Sequence, residues 1–264
     1  MTKMIYLNIL SAAIASSAII SNLVICVLFL GNKVWLEKPY NVFILCLAVS
    51  DMITGLLMFI TPGMIFEEPI KIPNSSFLGV LYCKCLWSRW LLFGLGAVSV
   101  YTCLVLTIER WTAICRPFHY RRRFTSRRLI GYIVLVWVVG IVVSSMVANE
   151  TTYHLPSLNS TKPWCSITPL MKGDLIGVVS FISVCFKFLF PAVVILIMYA
   201  IAIVKFKRNT DFQFADYRTK AIKNITKMAA TASVALVVCW LPNQVRNSVF
   251  LSFEKFIGML LFCH

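Results

Sequence analysis

The sequence predicts an all-α membrane protein of one domain, residues 1–264, with six complete transmembrane helices and an incomplete seventh. Of its 264 residues, 59% are hydrophobic and 13% are charged, whereas a soluble domain is usually about 45–50% apolar and about 25% charged. The formal net charge of +15 does not indicate a nucleic-acid partner, because the basic residues collect in the connections between apolar runs, as they do beside a lipid bilayer.

The apolar runs define the predicted spans. A helix needs about 20 mostly apolar residues to cross the hydrocarbon core. The runs that meet this length are residues 5–30, 41–66, 86–115, 129–148, 174–204 and 229–251, and a shorter run covers 254–264. The first run is too long for the apolar core of a cleaved signal peptide, so we interpret it as the first span.

The distribution of lysine and arginine predicts the orientation. Sixteen of the 25 basic residues lie in or beside the first, third and fifth connections, and six lie at the N-terminus or in the other connections. The positive-inside rule therefore predicts a multi-pass membrane protein whose odd-numbered connections are cytoplasmic and whose N-terminus is outside. Glycosylation sequons at Asn74, Asn149 and Asn159 all fall in connections that are predicted to be extracellular.

Polar residues inside the predicted spans are candidates for function, because the bilayer makes them costly. Asn22, Asp51 and Ser99 lie in the first, second and third spans. Two interpretations of Asp51 remain open. It is either a neutral carboxylic acid hydrogen-bonded to Asn22, or, together with Ser99, a site for a hydrated sodium ion. Sodium is the one cofactor that the sequence suggests.

Six short motifs occur in order along the chain. They are Asn22, "LAVSD" at 47–51, "ERW" at 109–111, Trp137, Pro191 with Tyr199, and "CWLP" at 239–242. In these motifs the chain resembles the rhodopsin-like family of G-protein-coupled receptors over nearly its whole length. The resemblance implies a seven-transmembrane helix bundle that binds an extracellular ligand in its outer half and activates a heterotrimeric G protein.

The resemblance also implies roles for individual residues. Glu109 would restrain Arg110 at the cytoplasmic end of the third helix until the sixth helix moves outward and exposes Arg110 to the G protein. Trp111 stands where the family usually has tyrosine, and Phe118 of "RPFHY" would fill an apolar pocket of the G protein. The basic segment 116–128 would face anionic lipid and that partner. The remaining residues of the implied switch are Pro191, Tyr199, Trp240 and Pro242.

The family has a cysteine at the extracellular end of the third span. Cys85 lies 25 residues before Arg110, which is the separation that the family uses, so the resemblance implies a disulfide between Cys85 and Cys165. Cys83 is the competing partner, because it follows a "FLG" element similar to the first outer loop of the family. An oxidising extracellular environment permits either bond.

The predicted ligand cavity is lined by the third, fifth and sixth helices. Its residues are Arg89, Leu92, Phe93 and Gly96 on one face of the third, Ser183 and Lys187 on the fifth, and Trp240, Asn243, Gln244 and Asn247 on the sixth. The positive charges of Arg89, Lys187 and nearby Arg246 favour a polar or acidic ligand, such as a peptide with carboxylates. Monoamine receptors have an aspartate where Leu92 stands, so we do not expect an amine ligand. Opsins have the retinal lysine about where Phe262 stands, so we do not expect an opsin.

Other function classes are less favoured. The sequence contains no catalytic constellation, so we do not expect an enzyme. It shows no internal repeat, which a small transporter usually has. The chain ends before an Asn-Pro-x-x-Tyr motif, which predicts a receptor truncated within the seventh helix. A non-signalling decoy or a dimerising partner is therefore the main alternative to a signalling receptor.

Overall fold

The computed structural model describes residues 2–68, 70–156, 162–168, 179 and 182–208. Most of these residues are helical. The helices are α1 (Thr2–Gly31), α2 (Pro39–Ile60), α3 (Ser76–Tyr82), α4 (Trp90–Cys115), α5 (Pro117–Arg123), α6 (Ser126–Ser144), α7 (Met146–Asn149) and α8 (Phe190–Arg208). A short 3₁₀ helix covers Lys33–Glu37, and π-helical turns cover Cys83–Trp87 and Cys185–Leu189.

Five described helices are long and apolar enough to cross a membrane. They are Asn8–Gly31, Pro39–Ile60, Trp90–Ala113, Ser126–Ser144 and Ile182–Ile201, and each corresponds to one of the first five predicted spans. The prediction of an all-α, multi-span protein is therefore confirmed for this part of the chain. The predicted spans 229–251 and 254–264 lie outside the described residues.

The second span is shorter than predicted, because α2 ends at Ile60 and not at residue 66. The backbone N–H of Thr61 still donates to the Leu57 carbonyl at 2.9 Å. Pro62 then disfavours helical geometry in the residue before it, and Gly63 has a φ of 68°. Glycine adopts such a left-handed backbone without a steric cost, so the chain turns away from the helix at this point.

The third span begins at Trp90, four residues later than predicted. Arg89 has a φ of 60°, which separates α4 from the preceding helical segment that ends at Trp87. The Ser88 hydroxyl accepts a hydrogen bond from the Trp90 backbone N–H at 3.1 Å, and so caps the new helix. At its other end, α4 stops at Cys115, next to the Arg116–Pro117 pair that opens α5.

The described chain forms two compact units. The first, which we call the disulfide unit, consists of residues 1–36, 45–99 and 136–172. Leu57, Leu92 and Leu95 form an apolar cluster there, with Trp137 packed against it. Helices α4 and α6 approach closely in this unit, since a Cβ atom added at Gly140 would lie 2.6 Å from a Val98 methyl group.

A small β-hairpin, which the sequence did not predict, belongs to the disulfide unit. Strand β1 (Thr151–His154) pairs antiparallel with β2 (Trp164–Ile167), and Tyr153 stands opposite Cys165. The Tyr153 hydroxyl donates to the Pro73 carbonyl at 2.9 Å. The hairpin is thereby held against the loop that precedes α3.

The second unit, which we call the arginine unit, consists of residues 37–44, 100–135 and 173–264. Phe43, Phe188 and Ile195 are completely or almost completely buried within its described part. Phe124 is also buried, and its ring lies 5.5 Å from that of Tyr120. Tyr120 in turn contacts Glu109 near the end of α4.

Candidate functional site

The last turns of α4 contain a buried ion pair in the arginine unit. Glu109 is 0% exposed and Arg110 is 5% exposed. The Nε and Nη2 atoms of Arg110 each donate to a different oxygen of the Glu109 carboxylate. This two-bond arrangement is the strong geometry for a guanidinium and a carboxylate. It offsets the cost of removing both charges from water.

Two tyrosines complete this cluster, and the sequence did not predict either of them. The Tyr120 hydroxyl, on α5, donates to Oε1 of Glu109, and the Arg110 guanidinium lies 4.2 Å from the ring centre of Tyr40. We name Glu109, Arg110, Tyr120 and Tyr40 the arginine clasp. Burial, and next the negative charge of Glu109, raise the pKa of Tyr120 above its ordinary value, so its hydroxyl remains a donor at neutral pH.

Trp111 and Phe118 lie close to the clasp along the chain but differ in exposure. The Arg116 guanidinium lies 5.5 Å from the Trp111 ring centre, and the Trp111 indole N–H is buried without an acceptor among the described residues. Phe118 is 95% exposed. An apolar ring in that position is available to another molecule.

A second polar cluster lies in the disulfide unit. The Ser99 hydroxyl donates to Oδ1 of Asp51 at 2.7 Å, and the Ser50 hydroxyl lies 2.9 Å from that of Ser99. The Asn22 amide donates to the Ala18 carbonyl at 2.9 Å. A carboxylate beside two hydroxyl groups is a set of hard oxygen ligands, which fits a sodium ion better than a soft metal.

The disulfide joins Cys83 to Cys165, with the Cα atoms 5.7 Å apart, which corrects the prediction of Cys85. The prediction used the family's separation from Arg110, but here the break at Arg89 and the π-helical turn Cys83–Trp87 lie between the disulfide and Arg110. Cys83 is buried against Cys165 and Tyr82, while Cys85 is a free thiol. Burial raises the pKa of the Cys85 thiol, which disfavours the reactive thiolate.

The predicted ligand residues of the third span have different environments in the disulfide unit. Leu92 is 2% exposed within the apolar cluster described above, and Gly96 is also buried. Phe93 is partly exposed, and its carbonyl accepts a hydrogen bond from Ser144 at 3.5 Å. The Arg89 guanidinium donates to the Pro62 and Gly63 carbonyls at 3.5 and 3.4 Å.

Of the predicted ligand residues of the fifth span, Lys187 lies in its π-helical turn and Ser183 lies just before that turn, both in the arginine unit. Lys187 is only 7% exposed, and no hydrogen bond or ion pair of its ammonium group occurs among the described residues. Ser183 is partly exposed. The Tyr101 hydroxyl donates to the Phe186 carbonyl at 2.8 Å. This contact, which the sequence did not predict, holds the turn to α4.

The remaining predicted residues divide between described and undescribed positions. Pro191 and Tyr199 are both buried in α8. Asn74 and Asn149 are exposed. The residues outside the described part of the chain are Asn159, Trp240, Pro242, Asn243, Gln244 and Asn247.

Membrane-length helices, a disulfide that anchors a hairpin, and a buried Glu-Arg pair at the end of one span define a class of multi-pass receptor. The family described as "7 transmembrane receptor (rhodopsin family)" matches residues 21–257, and the chain belongs to it. This is a family of receptors and not of enzymes. Membership of this family implies that the chain forms a bundle of seven helices in the membrane.

Individual receptors of this family are similar to the chain. The adenosine receptor A2b of Canis lupus familiaris is 26% identical, over 91% of this chain and 73% of the receptor. The neuromedin-U receptor 2 of Mus musculus is 28% identical, over 93% of this chain and 62% of the receptor. The galanin receptor type 2 of Mus musculus is 27% identical, over 84% of this chain and 56% of the receptor.

Proposed function

We propose that the chain acts as a single receptor domain, residues 1–264, which binds an extracellular ligand and activates a heterotrimeric G protein from the cytoplasm. The excess of lysine and arginine in the odd-numbered connections supports an extracellular N-terminus in the plasma membrane. The three sequons would then be glycosylated on the outer side. The observation that carries the proposal is the buried arginine clasp.

The clasp supports a role as a switch because, among the described residues, Glu109 and Arg110 bond each other and two tyrosines. Glu109 accepts two bonds from Arg110 and one from Tyr120, so separating any partner leaves a buried group without its bonds, which is costly. Such a cluster has a closed and an open arrangement. A ligand shifts the population towards the open one if it binds that state more tightly, and Arg110 then contacts the G protein together with the exposed Phe118.

The ligand is expected to carry an anionic group. The three relatives are named for three different ligands, so we argue the ligand class from this chain alone. Lys187 is 7% exposed as a whole residue, and no anionic partner of its side chain occurs among the described residues. A buried charge is stable only when it is paired. A carboxylate or phosphate of the ligand, reaching the turn that Tyr101 fixes, would supply that pair.

Sodium binding at Asp51 is a further part of the proposal. Oδ1 of Asp51 accepts from Ser99, which leaves the carboxylate with unused acceptor capacity among the described residues. Asp51 and Ser99 would hold the ion, with Ser50 in contact with Ser99. The ion would stabilise the charge of Asp51 within the span.

Basal nucleotide exchange on a co-expressed G protein tests the signalling role without knowledge of the ligand. Glu109→Gln should raise basal exchange roughly tenfold, because one charged partner of Arg110, worth about 1.5–3 kcal/mol, is lost. Glu109→Gln combined with Arg110→Ala should return exchange to the level of cells without receptor. Equal surface expression of both variants is the control, and persistent exchange in the double variant would disprove the assignment of Arg110.

Matched peptide libraries with free or amidated C-termini test the ligand class. Peptides that activate the receptor should lose activity on amidation, and Lys187→Met should remove the difference between the two forms. Ser183→Ala, four residues away on the same span, serves as the matched control and should preserve the difference. Equal responses to both forms in the parent receptor would exclude an anionic anchor at Lys187 and leave the role of Arg110 unaffected.

A further inference from the structure

The connection between α4 and α6 is a concentrated basic surface. From Arg110 to Asn149 the sequence contains no aspartate or glutamate, and the nearest carboxylate, Glu109, is buried against Arg110. The exposed arginines of the connection therefore have no acidic neighbour along the chain. They are Arg116, Arg121, Arg122, Arg123, Arg127 and Arg128.

Helix α5 has one inner and one outer face. Tyr120, on the inner face, donates to Glu109, and the next turn adds the buried Phe124. Residues three and four positions apart share a face of a helix, so Phe118, Arg121 and Arg122 lie together on the outer side. The hydrogen bond from Tyr120 to Glu109 thus fixes which side of α5 presents its charges.

A further guanidinium joins this surface from the start of α6. Nη1 of Arg128 donates to the Arg122 carbonyl at 2.8 Å, so the Arg128 side chain is held at the C-terminal end of α5. Arg121, Arg122 and Arg123 form the last turn of that helix, where the helix dipole favours positive charge. Four guanidinium groups are therefore gathered around one short helix end.

The position of this surface relative to the bilayer identifies its partner. The connection lies between the apolar segments Trp90–Ala113 and Ser126–Ser144, so both of its ends are at the membrane edge. Clusters of four to eight basic residues beside a membrane span bind anionic lipid headgroups. Guanidinium groups also match phosphate oxygens in pairs.

We infer that α5 and the start of α6 form a docking surface for polyphosphorylated inositol lipids, with Arg121, Arg122 and Arg128 as its principal contacts. A headgroup with several phosphates matches a group of guanidinium ions better than the single net charge of phosphatidylserine. The inference rests on the proposed orientation, because it places this surface at the cytoplasmic leaflet. A bound headgroup would also stabilise α5, and through Tyr120 the closed clasp.

The test measures binding of phosphatidylinositol 4,5-bisphosphate to the purified 264-residue chain in nanodiscs, against phosphatidylserine at equal total charge. The parent chain should prefer the bisphosphate. Arg121→Gln with Arg122→Gln should weaken its binding roughly 10–30-fold, because each basic residue near an anionic surface contributes about 1 kcal/mol. Replacement of both by lysine keeps the charge, loses the paired contacts, and should weaken binding roughly threefold.

The matched control is Lys33→Gln with Lys38→Gln, which removes two exposed charges from the first connection. It should change binding of the bisphosphate by less than roughly twofold. An equal loss in both double variants, or no preference over phosphatidylserine, would overturn the inference. So would arginine variants that lose only G-protein activation, since the surface would then be a protein contact.

Phe118→Ala separates this inference from the proposed function. The substitution removes an exposed ring without a change in charge. It should lower G-protein activation and leave the binding of the inositol lipid within roughly twofold of the parent. A chain that binds the lipid but activates no G protein would support the docking surface and contradict the proposed signalling role.

Discussion

The disulfide unit and the arginine unit hold their critical residues by different kinds of bond. In the disulfide unit, a covalent bond joins Cys83 to Cys165 and fixes the hairpin β1–β2. In the arginine unit, hydrogen bonds and an ion pair join Glu109, Arg110 and Tyr120. A disulfide keeps the same two cysteines joined under oxidising conditions. Hydrogen bonds and ion pairs, in contrast, break when their groups bind other partners.

This difference predicts that the two units respond differently to the loss of a single partner. The covalent link holds the disulfide unit in one geometry. The arginine unit holds its charges by non-covalent bonds, and under the proposed function this is the cluster that opens. The following predictions test whether the one region is rigid and the other switchable.

The largest effect is expected from loss of the covalent link. The bond closes a loop with a sequence separation of 82 residues, and the chain-entropy model gives a stabilisation of about 4–5 kcal/mol for a loop of that size. Cys83→Ser should therefore strongly lower the thermal stability of the purified chain. Thermal unfolding monitored by thiol reactivity in detergent is a suitable measurement.

Cys85→Ser is the matched control for that prediction. Cys85 lies two residues from Cys83 but is not bonded to Cys165. Its substitution should change the stability by less than about 1 kcal/mol. If Cys85→Ser is the more damaging change, the pairing is that of the family spacing and the break at Arg89 has no consequence.

The next effect is expected from Glu109→Gln, which breaks the arginine clasp. Removal of one partner from a buried ion pair costs about 3–5 kcal/mol, and the glutamine oxygen recovers one hydrogen bond. We therefore expect a loss of roughly 3 kcal/mol in the free energy of unfolding. Unchanged stability would show that Arg110 finds another partner and that the clasp does not restrain it.

Tyr120→Phe should have a smaller effect, because it removes one hydrogen bond and leaves the ion pair intact. Bonds to charged groups contribute about 1.5–3 kcal/mol, so the loss should be roughly 2 kcal/mol. A double-mutant cycle with Glu109→Gln measures the coupling between the two side chains. Additive effects of the two substitutions would contradict the bond between them.

The pH dependence of Tyr120 gives a further, smaller effect. Burial and Glu109 raise its pKa in the folded chain, whereas an unfolded tyrosine titrates near pH 10. Below about pH 10 both states keep the proton. As the pH rises towards the folded pKa, the unfolded chain loses its proton first and stability declines. The parent should therefore lose stability above about pH 10 more steeply than Tyr120→Phe.

The smallest change is expected at Asp51, in the disulfide unit. Asparagine still accepts the hydrogen bond from Ser99, so Asp51→Asn should cost roughly 1 kcal/mol in sodium-free buffer. If sodium binds there, the parent should gain thermal stability when sodium replaces choline, and the variant should not. Equal sodium responses in both chains would place the ion elsewhere.

The sequence predicted the elements whose signal is local. Long apolar runs identified the first five spans, and the Glu-Arg pair identified the centre of the clasp. Tyr120 and Tyr40 were missed because each lies far along the chain from Arg110 or on another helix, and only tertiary packing brings their rings to it. The one available signal in the sequence was the position of Tyr120, two residues after the pair Pro117–Phe118.

The errors of prediction arose where the backbone departs from a regular helix. The family's separation from Arg110 favours Cys85, whereas the disulfide joins Cys83 to Cys165. Arg89 has a positive φ and the adjacent segment Cys83–Trp87 is π-helical, and no periodicity in the sequence reports either feature. The hairpin was missed because its two strands are only four residues long.

The π-helical turn Cys185–Leu189 has a consequence for the alignment of this receptor with its relatives. A π turn holds one residue more than an α turn, so the side chains before it are rotated by about one position around the axis, roughly 100°. A gapless alignment anchored on Pro191 with a relative whose helix is regular would therefore match Ser183 with a residue that points in another direction. A one-residue gap placed within 185–189 restores the structural correspondence on the outer side of this span.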